Sequence, residues 1–175
     1  MELKSKTIYL RLVELKDATF IHSLRTDKKY SKYLSFVDND ISKQVKWIAD
    51  YKKREGREFY YIIHRNSDSI PIGTVRIYDF IKEDNSFSWG SLILTENKTR
   101  YAVLECALLI YDYAFFELGF NCCNLSCRKQ NEKSVKFHKR LGVKTIGETE
   151  DDYLWHYFLK DYLLIRGDIE KVINK

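Results

Sequence analysis

The chain has 175 residues, of which 45% are hydrophobic, and its 30 Lys and Arg against 25 Asp and Glu give a formal charge of +5. That apolar fraction, with the single proline Pro71, excludes a disordered chain and suits one globular domain over residues 1–175 with a core of its own. The basic residues are scattered among many acids, which describes a solvated surface and not a nucleic-acid partner, with a mild bias toward phosphate-bearing ligands.

In chain order, Met1 to Lys6 has no apolar stretch of the kind a secretory signal needs, so a cytoplasmic protein is expected. Thr7 to Val13 alternates and is rich in branched residues, a strand. Asp17 then opens a helix to about Arg25 with an apolar stripe of Phe20, Ile21 and Leu24. Thr26 to Asn39 is a long polar and aromatic connection, a length that often serves function. Asp40 or Ser42 caps a second helix to about Lys53, its inward face Val45, Ile48 and Trp47.

Phe59 to His64 and Ile70 to Phe80 read as a hairpin about the turn Arg65-Asn66-Ser67-Asp68-Ser69, and Ser86 to Leu94 as a further strand. A long helix follows the charged loop Thr95–Thr99 and ends at Gly119. Its apolar run, Ala102 to Phe116, is interrupted by Glu105 and Asp112, too short and too charged for a membrane span. A strand around Cys123–Cys127 comes next. The four cysteines, Cys106, Cys122, Cys123 and Cys127, lack metal-ligand spacing and read as reduced and structural, so no metal is expected. Asn131 to Val143 is polar turn, helix and glycine stop: Asn131 can cap the helix or reach a ligand, and Gly142 ends it. Two strands, Lys144–Glu148 and Tyr153–Leu159, precede a short C-terminal helix. The helix between the Ser86 and Cys123 strands is a crossover, so those two strands should be parallel.

This order, with Arg11-Leu12-Val13-Glu14-Leu15-Lys16-Asp17-Ala18 near the start and Asn131-x-x-Ser134 with Leu141-Gly142 late, resembles the GNAT superfamily of acyl-CoA-dependent N-acetyltransferases. The first motif is similar to the opening of its ribosomal-protein acetyltransferase branch. The resemblance implies an α/β (α+β) fold with a central mixed, mostly antiparallel sheet of six to seven strands flanked by helices, the fourth and fifth strands parallel and splayed. It also implies acetyl-CoA as cofactor. Leu92, Ile93 and Leu94 would lie along its pantetheine arm, with Asn131, Ser134 and Phe137 on the other side. Its pyrophosphate would sit where the long helix begins, over Lys98, Thr99, Arg100, Tyr101, Ala102 and Val103. The family's two loop glycines are absent there, and Lys98 and Arg100 can offset that with charge-assisted bonds to phosphate.

Acetyl transfer to an amine needs a neutral amine, donors for a developing oxyanion and a proton for the departing thiolate. The family often places a tyrosine seven residues after the asparagine for that proton. Here the position is His138, which with an ordinary pKa of about 6.5 can hold a proton near neutrality. For the acceptor, Arg25, Tyr30, Tyr33, Arg76, Tyr78 and Trp89 combine cations with aromatic faces, a mixture suited to a nucleotide-linked amino sugar, although Trp89 reads equally well as packing. The segment Phe87-Ser88-Trp89-Gly90-Ser91 through the glycine-free loop is also similar to acetyltransferases of bacterial surface-sugar pathways. The expected partners are this small-molecule amine and, as an open alternative to a monomer, a second copy in a homodimer. A protein N-terminus as acceptor, or a non-catalytic acyl-CoA-binding role, is the alternative.

Overall fold

The computed structural model describes residues 2–54 and 56–175. Its strands are β1 (Glu2–Lys4), β2 (Ile8–Leu12), β3 (Phe59–Arg65), β4 (Pro71–Ile81), β5 (Ser86–Leu94), β6 (Cys122–Arg128), β7 (Lys144–Glu148) and β8 (Asp152–Phe158). They form one sheet in the order β1-β2-β3-β4-β5-β6-β8-β7. All pairings are antiparallel except β5 with β6, as the crossover helix between them requires. The sheet thus has eight strands where six to seven were expected. The addition is β1, whose three residues pair with Tyr9–Arg11 and are too few to show an alternating pattern.

Alternation along the strands divides the core. Tyr61, Ile63, Val75, Ile77, Phe87, Cys123, Leu125 and Trp155 face α4 (Ala102–Asp112) and α6 (Leu159–Ile173) in one cluster. Tyr60, Ile62 and Val13 face α1 (Ala18–Thr26) and α3 (Ile41–Lys52) in a second, with Ile21, Ile48 and Tyr51. The long connection after α1 contains a short helix, α2 (Lys28–Ser31), started by Asp27, whose carboxylate accepts from Lys29 N–H. Asp40 caps α3 as expected, but its inward face differs: Val45 is exposed and Gln44 is buried with Ile48 and Tyr51. α4 runs on through a π-helical turn, Tyr113–Glu117, and Gly119 closes it at φ 77°. The C-terminal helix has 15 residues and is not short.

What shapes the site is a failure of pairing. β5 and β6 match only over Ser86–Ser88 and Cys122–Asn124, although β5 continues to Leu94 and β6 to Arg128. At the closed end Asn124 Nδ2 donates to Ser86 Oγ (2.8 Å), which donates to Asp84 Oδ1 (2.5 Å), pinning the two strands together. Just beyond, the β4–β5 register slips by one residue and Ser91 takes φ 51°, a β-bulge that turns the strand away from β6. A matching slip on β4 places Asp79 at φ 52°. Gly73 lets the bent strand lie close, since a Cβ there would fall 2.0 Å from the Ile93 carbonyl oxygen.

Candidate active site between the parted strands

The divergence opens a cavity of about 510 Å³ between Gly90, Ser91 and Leu92 of β5 and Leu125–Arg128 of β6. That volume lies within the usual range for small-molecule sites. α5 (Glu132–Arg140) closes one side with Ser134, Phe137 and His138, preceded by Asn131. Val103 of α4 and Tyr33 and Leu34 of the α2–α3 connection complete the wall. From Trp89 onward β5 has no strand partner on its β6 side among the described residues, so its backbone donors and acceptors face the cleft.

The structure gathers most of the predicted cofactor residues about this cleft. Asn131 does cap α5, its Oδ1 accepting from Ser134 N–H at 3.3 Å, which leaves the side-chain amide N–H₂ to a ligand. Leu92, Ser134 and Phe137 line the cavity, while the side chains of Ile93, which is buried, and Leu94 do not. At the start of α4, Val103 reaches the cavity. Lys98 and Arg100 lie exposed beside it, and Ala102 is packed in the core. No side chain caps α4 at Tyr101; Ala102 N–H donates to the Thr99 carbonyl at 3.3 Å, and the next amides, of Val103 and Leu104, stay available to an anion at the positive end of the helix.

Thr99 is tied down instead of free. Its hydroxyl bonds Thr7 Oγ1 at 2.6 Å, and Thr7 donates from its backbone N–H (2.6 Å) and its hydroxyl to Glu105, whose side chain is wholly buried. The carboxylate of α4 thereby fixes the glycine-free loop through Thr7, the residue before β2. Coenzyme A fits this donor set: an amide-bearing arm matches the unpaired β5 edge and Asn131, and an anionic end matches the uncapped helix with Lys98 and Arg100.

His138 is caged by Trp89, Phe137 and Trp155, with ring centroids 5.8, 5.3 and 5.6 Å away. This burial pushes its pKa down to about 4, so at neutral pH the ring is uncharged, unlike the near-neutral titration expected from its ordinary value. Its Nδ1 is enclosed without a partner, which leaves the Nε2 edge to face the cleft.

The predicted acceptor residues separate. Tyr33 borders the cleft and donates its hydroxyl to the Gln130 carbonyl at 2.9 Å. Trp89 is 5% exposed and belongs to the core, edge-on to Tyr111, while lining the cleft floor. Tyr78 lies over Gly90, where a Cβ would be 3.0 Å from its hydroxyl, and Tyr30 lines neither cavity. Arg25 and Arg76 share a second pocket of about 290 Å³ with Gln44, Trp47, Tyr60 and Phe36. Sequence reasoning missed Ser126 and Arg128 on the cleft and Gln44 in the pocket. For Ser126 and Arg128 the signal was present: they alternate with the core residues Leu125 and Cys127 on β6.

Comparison with known proteins agrees with this geometry. The acetyltransferase (GNAT) domain profile matches residues 7–144. A probable N-acetyltransferase of Bacillus subtilis, YjcK, is 28% identical over 167 residues, covering 85% of this chain and 92% of that protein. The solved structure of apo FdhC, described as a nucleotide-linked sugar GNAT, superposes with a TM-score of 0.88 at 43% identity over 96% of each chain. Spermidine N-acetyltransferase from Vibrio cholerae, solved with CoA and spermine, shares the fold at TM-score 0.77 and 17% identity, over 89% of this chain and 98% of that one. Parted strands, a capped α5 and a profile match over most of the sequence lead to one conclusion: this chain belongs to the GNAT family of acyl-CoA N-acetyltransferases.

Proposed function

We propose that the protein acetylates the amino group of a nucleotide-linked amino-deoxy sugar, with acetyl-CoA as donor. The observation that carries this reading is the cleft between β5 and β6, which has Val103 from the uncapped start of α4 in its wall and, across residues 33–36, a separate pocket holding two arginines. The likeness to FdhC, 43% identical and named for a nucleotide-linked sugar, supports the choice of acceptor. When bound, acetyl-CoA supplies an acetyl thioester whose acyl carbon is open to attack by an amine.

The chain's own groups divide the remaining work. Leu92 and the β5 edge, with Asn131, Ser134 and Phe137 opposite, orient the amide-bearing arm. Val103 and the α4 amides, with Lys98 and Arg100, hold the phosphates. Unpaired backbone N–H groups past Trp89 meet developing negative charge without having to reorganise. His138, an uncharged ring at the cleft wall, offers a hydrogen bond to the departing sulfur, and the proton that sulfur takes up is the one the attacking amine releases. The apolar walls, Leu92, Leu125 and Phe137, exclude water. This reading also places the protein in the cytoplasm, in the supply of precursors for a surface polysaccharide.

The test is incubation of purified protein with acetyl-CoA and a panel of nucleotide-linked amino sugars, free amino sugars and N-terminal peptides, with products identified by mass. Acetylation of nucleotide-linked amines is expected. Product confined to peptide α-amines, or CoA binding with no amine acetylated, would remove the proposal.

A further inference from the structure

We infer that the pocket between α1, α3 and the exposed face of β4 is a nucleoside-diphosphate site, in which Arg25 and Arg76 take the phosphates, Phe36 covers the base and Gln44 reads its edge. The inference rests on the acceptor reading above and makes it specific.

The cations come first. Among the described residues no carboxylate pairs with Arg25. It donates through Nη2 to the Ser35 carbonyl and hydroxyl, both at 2.9 Å, and its Nε is enclosed without a partner. Arg76 is boxed by aromatic rings, its guanidinium carbon 5.0 Å from Trp47, 5.7 Å from Tyr60 and 5.1 Å from Tyr78, and its Nε is likewise unpaired. Glu58 is the one carboxylate bonded to Arg76 in the described residues, and it also serves Arg54 at 2.8 Å. Two guanidiniums therefore share one acid, and Arg25 has none among the described residues. Burial, with Arg76 close by, holds Arg25 below its ordinary pKa, a strain that an anion between the two would relieve.

The rest of the pocket suits a base. Trp47 is already engaged, stacked on Tyr51 at 5.8 Å and under the guanidiniums of Arg76 (5.0 Å) and Arg54 (5.8 Å). Phe36, 93% exposed at the pocket mouth, is the ring free to stack. Gln44 is 7% exposed and lines the pocket, and its amide makes no hydrogen bond among the described residues, so both its donor and its acceptor are open to a base edge.

Position ties this pocket to the reaction. Tyr33 and Leu34 line the cleft while the next two residues, Ser35 and Phe36, line the pocket. Arg76 is the register partner of Gly90, which lines the cleft. A molecule held by its phosphates at Arg76 therefore reaches the cleft across one strand pair.

The test is calorimetry on the full chain saturated with CoA, titrated with UDP, dTDP and GDP, the matching nucleosides, and inorganic pyrophosphate. At least one nucleoside diphosphate should bind, with its nucleoside and pyrophosphate each weaker by tenfold or more. Arg25→Gln should weaken binding at least tenfold and Phe36→Ala about threefold or more, with the CoA affinity unchanged. Phe36 is too exposed for its removal to unfold the chain, so that variant keeps the test decisive if Arg25→Gln melts. Absence of binding, displacement by CoA, pyrophosphate binding as tight as the nucleotide, or indifference to both substitutions would overturn the site. Should nucleotide amino sugars still be acetylated in that case, the acceptor reading survives and this pocket does not. Nucleotide binding that depends on Arg25, with no amine acetylated, would keep the pocket and sink the acceptor reading.

Discussion

At the scale of single residues, His138 links stability to chemistry. The folded chain holds its pKa near 4 against about 6.5 in an unfolded chain, so between those values the unfolded state binds the extra proton. Stability should therefore be complete above about pH 6.5 and fall as the pH drops toward 4, by a loss on the order of 3 kcal/mol. His138→Phe, which fills the cage and cannot titrate, should flatten that part of the profile. Denaturant melts from pH 4 to 7 would show it, and parallel curves for the two proteins would refute it. With the ring neutral throughout, His138 should add no titration to kcat between pH 6 and 8. His138→Ala should lower kcat about tenfold while leaving CoA affinity unchanged, as loss of one hydrogen bond to the departing sulfur predicts. Sequence made His138 a candidate by its place in α5. It could not show the cage, because Trp89 and Trp155 arrive from strands far away along the chain.

At the scale of elements, the loop before α4 holds its shape without glycine through Glu105. Glu105→Ala would leave the half-buried Thr7 N–H without its partner and release Thr99, at a cost of about 1–3 kcal/mol. The expected kinetic sign is a raised KM for acetyl-CoA at nearly constant kcat, and Glu105→Gln, which keeps an acceptor, should recover part of it. Equal losses in kcat for both variants would mean that Glu105 acts elsewhere. Gly73→Ala, whose Cβ would strike the Ile93 carbonyl, should cost about 1–3 kcal/mol by overpacking and weaken CoA binding by shifting β5. Melting and CoA titration of that variant check both. Helix ends were legible in the sequence because their signals are chemical and local: Asp40 and Asn131 cap, and Gly119 and Gly142 stop at positive φ. The inward face of α3 was not, since Gln44 looks solvent-facing until the pocket beneath it is seen. Nor were the bulges, because Ser91 and Asp79 carry no spelling that announces a left-handed backbone.

At the scale of the whole molecule, order carried more information than any single motif. The alternation of strands with one long crossover helix implied the parallel pair, and the family resemblance then implied the splay found at Trp89. The edge strand β1 escaped notice because its support is entirely tertiary. A cleft that divides the sheet leaves β6, β8 and β7 joined to the rest through three residue pairs of β5, the Asn124–Ser86 bond and the packing of α4 and α6. A ligand filling the gap should therefore stabilise the fold as a whole. At a hundredfold excess over Kd, CoA should add about 2.7 kcal/mol. For a chain of this size that is a rise in Tm of roughly 5–10 °C. Scanning calorimetry with and without CoA measures it, and an unchanged Tm at saturation would contradict the cleft as the binding site.

The paired bulges on β4 and β5 behave like two compensating frameshifts. One surplus residue on each strand offsets the other, so alignment is restored outside the segment between them. Removing Ser91 alone would take out that surplus residue: Gly90 would stay opposite Arg76 and Ile93 opposite Thr74, Leu92 would sit opposite Val75, and the bend would be lost. A shortened β5 should therefore keep its pairing with β4 but lose the turn away from β6, and the lesion should be read in CoA binding before it is read in stability.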